Sequence, residues 1–500
     1  MSVSPKQDFM VLDDPRPNDM SLPAFMVSTT RGFLPRMEPL VDLPSEFDHV
    51  ESLLSRMPVK TLSGAPGLLA DGRFGDAVLD ELPDLTDEVD KYKDNLPMVN
   101  ALYRDYSFLA SAYLLEPCHM RFIKGEGYGL ARDVLPVQLA RPIARCAELC
   151  GFKPFMEYAG SYALFNYRLV DPSRGLEYSN LRLIRAFEHG LDPSSSEAGF
   201  VLTHVAMVRH SGLLISGVMK SLRSIPPRHG SSSLPAAADR AGFNDGLAEI
   251  LDALRQINAV METMWDVSKP RSYTSFRTFI FGITSQSMFP DGVVYEGVHD
   301  DDGGGPEQRR SFRGESGAND SMIPLMDNFC QIAMPDTPLT EILKDFRSYR
   351  PGDHRGFLEW VREESLDKGL REFALGLSHH DDRHDEEDKE AVLESRRLWI
   401  KILNQVRDFR WRHWCFAREY ILKQTKHPTA TGGSPIVTWL PNQLQAVMDD
   451  MAEFHHAVGG ENGGLGSDCA DIMDLVHRQR DTLRKEVGKF CAERGVSKHV

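Results

Sequence analysis

Seven side chains between residues 391 and 425 constrain the fold most: Trp399, Ile402, Val406, Phe409, His413, Phe416 and Tyr420. Their spacings alternate between three and four, which places all seven on one stripe of a single helix facing an interior. Similar periodicity runs through roughly residues 198–223, 241–265, 274–289 and 338–347, so the sequence predicts a mainly α fold. His413 stands in the middle of the stripe among apolar and aromatic neighbours. A buried imidazole must satisfy its ring nitrogens by hydrogen bonds or by a metal, and the stripe alone leaves both open. Arg410 lies one turn earlier, near the same face. It suits either a surface or interface salt bridge or a cofactor carboxylate, because a guanidinium binds carboxylates through paired bonds.

Charge narrows the choice of ligand. Lys and Arg total 57 against 73 Asp and Glu, a formal net charge of −16. That balance argues against nucleic acid and against an anionic membrane surface, since both call for clustered cations. A small or neutral molecule is the expected partner. No run of about 18 apolar residues is present, and the polar, acidic N-terminus is unlike a secretory signal. The seven cysteines (Cys118, Cys146, Cys150, Cys330, Cys415, Cys469, Cys491) show neither CxxC pairs nor disulfide-framework density. Reduced thiols in a cytoplasmic, monomeric protein are expected.

Residues 1–45 read as an irregular leader rich in Pro and Asp. Residues 46–175 carry short helical patterns and end in the aromatic run Phe155, Tyr158, Tyr162, Phe165 and Tyr167. The DPSRG loop at 171–175 reads as a joint between this smaller domain and a large helical one over 176–500. A Ser/Pro-rich insertion (224–235) and a charge run (378–388) interrupt the helices. The latter sets His379, His380 and His384 among carboxylates and reads as a solvated loop rather than a metal site. NGGLG at 462–466 precedes a C-terminal amphipathic helix with Ile472, Leu475, Leu483 and Val487 on its apolar side.

Just beyond the stripe comes PTATGGSP (428–435), whose paired glycines let backbone approach a ligand and whose Thr431 offers a hydroxyl. It matches no nucleotide-loop pattern. The order RxxH (410–413), AREYI (417–421), TATGGSP (429–435) resembles the haem-binding helix and following loop of the indoleamine 2,3-dioxygenases. PRSYTSFRTFIFG (270–282), GVVYEG (292–297), FRGESGA (312–318) and YRPGDHR (349–355) agree in the same order, and the resemblance spans roughly residues 35–450.

The resemblance implies a small N-terminal domain capping a large all-helical domain that holds haem b. It makes His413 the proximal iron ligand, Arg410 a propionate partner and Asp327 a carboxylate supporting the proximal side. Ser316 and Gly317 match the loop at the haem edge; Thr431 and Gly432 match a mobile loop over the substrate. Arg277 matches the arginine holding the substrate carboxylate, and Phe200, Tyr162 and Ala163 fall in segments lining the indole pocket. Three positions depart from the family pattern. His204 stands where some members carry serine, either as an acceptor for the indole N–H or as a core histidine. Ser272 replaces a packing aromatic residue, and Val201 a second Phe. The expected reaction inserts both atoms of O2 across the indole C2–C3 bond of L-tryptophan, giving N-formylkynurenine in tryptophan catabolism by the kynurenine pathway. The alternatives are the same chemistry on another indole, or a haem protein that only carries or senses oxygen.

Overall fold

The computed structural model describes residues 9–226, 238–299, 308–334, 338–377, 386–425, 427, 429–460 and 464–495. Most of the 224–235 insertion and of the 378–388 charge run lies outside the described residues. The architecture is mainly α, as the periodicity predicts, with strands of only two or three residues. One continuous hydrophobic core runs from Ala24 to Cys491.

A 27-residue helix, Leu96–Phe122, forms the axis of the N-terminal half and is buried along most of its length. Asn95 caps it by accepting from the Met98 amide at 3.2 Å, satisfying one of the unpaired N–H groups of its first turn. The Ser211–Arg223 and Glu386–Phe416 helices both pack on Arg240–Glu262, and the Ile436–Ala457 helix packs on Glu386–Phe416. The C-terminal helix is Ser467–Arg494; its Glu486 carboxylate accepts from the Trp414 indole and the Arg418 guanidinium at 2.7 and 2.6 Å. Short strands fill the remaining corners. Val134–Leu135 runs parallel to Val293–Tyr295, and Tyr167–Leu169 pairs antiparallel with Leu181–Leu183. The 171–175 loop lies in the connection between that second pair, where the Asn180 side chain donates to the Asp171 and Gly175 carbonyls at 2.8 Å.

Three expected elements differ in detail. The 198–223 stretch is two helices, Ser196–Val208 and Ser211–Arg223, broken at Arg209 and His210. The leader docks at the break. Ser211 Oγ donates to the Val208 carbonyl at 2.6 Å and accepts from the Phe33 amide at 2.9 Å, so the turn is spent holding residues 27–34 against the core. The leader is irregular yet anchored: Val27, Phe33 and Leu34 are buried, and Arg36 is fully buried with its guanidinium on leader carbonyls, including Pro23 at 2.7 Å. The combined Ser196–Arg223 stretch is apolar enough to cross a membrane but is mostly buried inside the fold.

The 274–289 helix ends at Arg277, giving one turn of 3-10 helix and then extended chain. Here tertiary hydrogen bonding overrides periodicity: Gly282 donates to the Thr431 carbonyl at 3.0 Å, and Ile283 to Phe312 at 2.7 Å. The two strands of backbone meet glycine to glycine. A Cβ on Gly282 would sit 2.0 Å from the Gly314 nitrogen. Gly282→Ala is therefore expected to lower stability by about 3 kcal/mol, read as a fall in thermal melting temperature; an unchanged melting point would show that these segments separate freely.

The third difference concerns the aromatic stripe. The Glu386–Phe416 helix widens into a π-helical turn at Ala417–Leu422. Single wide turns of this kind occur disproportionately at functional sites. The stripe divides before that turn: Trp399, Ile402 and Val406 are core, while Phe409, His413, Phe416 and Tyr420 line a cavity.

Candidate active site

The cavity encloses about 1070 Å³ of empty space, part of it open to solvent. Five segments converge on it. The Ser196–Val208 helix supplies Phe200, His204 and Met207; the Pro270–Arg277 helix supplies Tyr273. The FRGESGA segment contributes Glu315, Ser316 and Gly317, and the loop after the π turn contributes Ala430, Thr431 and Ser434. His413 enters from the long helix. Met261, Met264, Trp439 and Leu440 complete a wall that is apolar over most of its area.

His204 and His413 share this cavity. Both rings keep some exposure because their edges line it, yet protein surrounds them on all other sides. Burial, with the neighbouring Arg410 cation, pushes His413 down to about 4. Burial and the proximity of His413 push His204 down to about 4, so both imidazoles are neutral at pH 7. His204 Nδ1 lies 3.1 Å from the Phe200 carbonyl. A carbonyl can only accept, which assigns the proton to Nδ1 and leaves the Nε2 lone pair free. That nitrogen lies 3.6 Å from where a Cβ on Gly317 would stand.

The loop is tightly docked. Thr431 Oγ1 donates to the Glu315 carbonyl at 2.8 Å, and Arg313 donates to the Gly432 carbonyl at 3.0 Å. A Cβ on Gly432 would meet the Phe346 ring at 2.7 Å, so the glycine serves close packing and does not itself line the cavity. Arg410 and Asp327, both expected at the cofactor, bind each other: Arg410 Nη2 donates to the two carboxylate oxygens at 2.9 and 2.7 Å. Nε and Nη1 of Arg410 are buried and have no partner. Asp327 thus acts on Arg410, one turn before His413.

Arg277 lies one turn beyond the lining Tyr273 and is fully buried, outside the cavity wall. Its Nη2 donates to the Thr429 carbonyl at 2.9 Å, while Nε and Nη1 are unpartnered. Tyr162 and Ala163 are also buried behind the wall; Tyr162 stacks on Phe108 and reaches Glu197 at 3.4 Å. Ser272 stays outside the cavity, where its carbonyl accepts from Ser275 at 2.5 Å, and Val201 is core. The aromatic surface missing at 272 is supplied next door by Tyr273, whose ring lies 5.4 Å from Phe200. Sequence reasoning passed over Tyr273, Glu315 and Asp320 as lining groups. For Glu315 the signal was present: a single acid inside a glycine- and serine-rich motif.

The donor set suits a haem. The wall is apolar and aromatic, one neutral imidazole on a long helix faces the space, and among the described residues nothing hydrogen-bonds that ring. Arg410 retains buried N–H groups suited to a carboxylate. No cluster of three or more His, Cys, Asp or Glu able to hold a bare metal ion occurs among the described residues.

Comparison with known proteins decides the kinship: the indoleamine 2,3-dioxygenase family profile matches residues 21–485. The chain belongs to the indoleamine 2,3-dioxygenase family. It is 25% identical to indoleamine 2,3-dioxygenase 1 of Mus musculus over 399 residues, covering 79% of this chain and 83% of the mouse protein. It is 26% identical to the Saccharomyces cerevisiae indoleamine 2,3-dioxygenase over 381 residues (70% and 74% of the two chains). With indoleamine 2,3-dioxygenase acdA of Aspergillus candidus it shares 27% over 373 residues, 72% of this chain and 80% of the fungal one. As an indoleamine 2,3-dioxygenase family member it is an oxidoreductase of the dioxygenase type, using O2 and a small molecule.

Proposed function

We propose that this protein is a haem-dependent dioxygenase that opens the indole C2–C3 bond of L-tryptophan to give N-formylkynurenine. The observation that carries the reading is the pairing of His413 and His204 in one largely apolar cavity, each neutral and each with a free ring nitrogen. His413 would hold the iron, and Arg410, oriented by Asp327, would meet a propionate. The haem supplies the iron that activates dioxygen. The protein's own contribution is orientation and the exclusion of water.

Phe200 and Tyr273 offer the indole two aromatic surfaces in the cavity. His204 Nε2, with its lone pair free, accepts the indole N–H. Arg277 exchanges part of its bonding for the substrate carboxylate, its two unpartnered nitrogens being the groups available. Ser316, Gly317, Thr431 and Gly432 close the remaining side by the loop contacts described above. Residues 46–175 act as the smaller domain capping the catalytic one, and the protein works as a cytoplasmic monomer in tryptophan catabolism through the kynurenine pathway.

A second reading, oxidation of a different indole, loses the support that Ser272 and Val201 gave it in the sequence, because both stand outside the cavity wall and do not shape it. One experiment separates the two. Haem-loaded, ferrous protein is given L-tryptophan under isotopically labelled dioxygen, and product mass is measured. N-formylkynurenine carrying both labelled atoms is expected. Unlabelled or absent product, beside doubly labelled product from another indole, would move the assignment to that indole.

A further inference from the structure

Glu315 is 2% exposed yet belongs to the cavity wall. Its Oε1 is buried with no hydrogen-bond partner, an arrangement costly enough to demand an explanation. A second buried charge, Arg277, lies one helical turn beyond Tyr273. Tyr273 and Glu315 line the same cavity, and the Arg277 guanidinium lies near the Tyr273 hydroxyl. Arg277 has its Nε and Nη1 buried and unpartnered. The buried acid and the buried guanidinium form no ion pair with each other among the described residues. A ligand that carries a cation and an anion a few bonds apart would satisfy both.

The geometry points to Glu315 as the group that receives the ammonium of an amino-acid substrate, which makes the cavity selective for a zwitterion over an indole bearing only one charge. This rests on the indole reading above and deepens it by assigning the chemical class of the side chain. The backbone is built to hold the acid in place. Thr431 Oγ1 bonds to the Glu315 carbonyl at 2.8 Å, and a Cβ on the preceding Gly314 would clash with the Gly282 nitrogen at 2.2 Å. The carboxyl is therefore carried on a fixed segment. Without a cation nearby, burial pushes it up to about 8; an arriving ammonium favours the ionised form.

The test compares three ligands on the haem-loaded protein by isothermal titration: L-tryptophan, tryptamine (ammonium only) and indole-3-propionate (carboxylate only). Glu315→Gln keeps the shape and removes the charge. It is expected to weaken L-tryptophan and tryptamine by about 10- to 100-fold and to leave indole-3-propionate unchanged. Equal losses for all three ligands, or no loss for any, would overturn the assignment of Glu315 while leaving the indole reading intact. The unsubstituted protein gives an independent check should the variant fold poorly: it is expected to bind L-tryptophan at least about 10-fold tighter than indole-3-propionate, and equal affinities would overturn the proposal. Failure of every indole to bind would overturn the function reading and this inference together.

Discussion

His413→Ala is expected to yield a folded, helical protein that retains no haem and turns over no indole. The ring faces the cavity, and among the described residues nothing hydrogen-bonds it, so its removal leaves the packing of Trp399, Ile402 and Val406 two to four turns away untouched. What is lost is the one neutral imidazole on that wall of the cavity belonging to the long helix. Soret absorbance per protein after haem loading, read beside far-ultraviolet circular dichroism, checks both halves. A variant with full haem and full turnover would show that the ligand is elsewhere, with His204 the other cavity histidine to examine.

Arg277→Met should lower kcat/KM for L-tryptophan by about 10²- to 10³-fold, the scale for losing a buried charge-assisted contact. Met roughly preserves the volume packed over the Phe281 ring, which the guanidinium carbon approaches to 4.6 Å from the centroid. The loss should be selective: tryptamine, lacking the carboxylate, should respond far less. A uniform loss across both substrates would mean that Arg277 acts by holding the 429–435 loop through Thr429, a structural role that its one observed hydrogen bond would also fit.

The long helix and its stripe were legible in the sequence because burial on one face of a helix imposes a local period, and local periods survive in a one-dimensional string. The helices at 241–265 and 338–347 followed for the same reason, and both form. His413 stood out because an imidazole breaks an otherwise apolar stripe, and the motif order around it supplied the family. The π turn left no such mark. It begins at Ala417, after Phe409, His413 and Phe416 have already turned to the cavity, and no change in the stripe's spacing announces it.

The misread segments share one feature. At 274–289 periodicity continued past Arg277, but the backbone there pairs with Phe312 and Thr431, residues 28 or more positions away. At 209–210 the break coincides with the docking of the leader, whose Phe33 amide reaches Ser211 across 178 positions. Long-range hydrogen bonds of this kind have no local period, so only the folded chain reveals them.

The site divides along the same line. Sequence alone determined the helix class, the candidate ligand and which motifs belong together, because each is written in spacing or order. Tertiary structure decided what each residue faces. It set Arg410 on Asp327, placed Tyr273 rather than Ser272 at the wall, and left Glu315 Oε1 and two Arg277 nitrogens buried without partners. The physical reason is that burial and charge pairing depend on segments far apart in the chain, and one string of residues does not state which of them will meet.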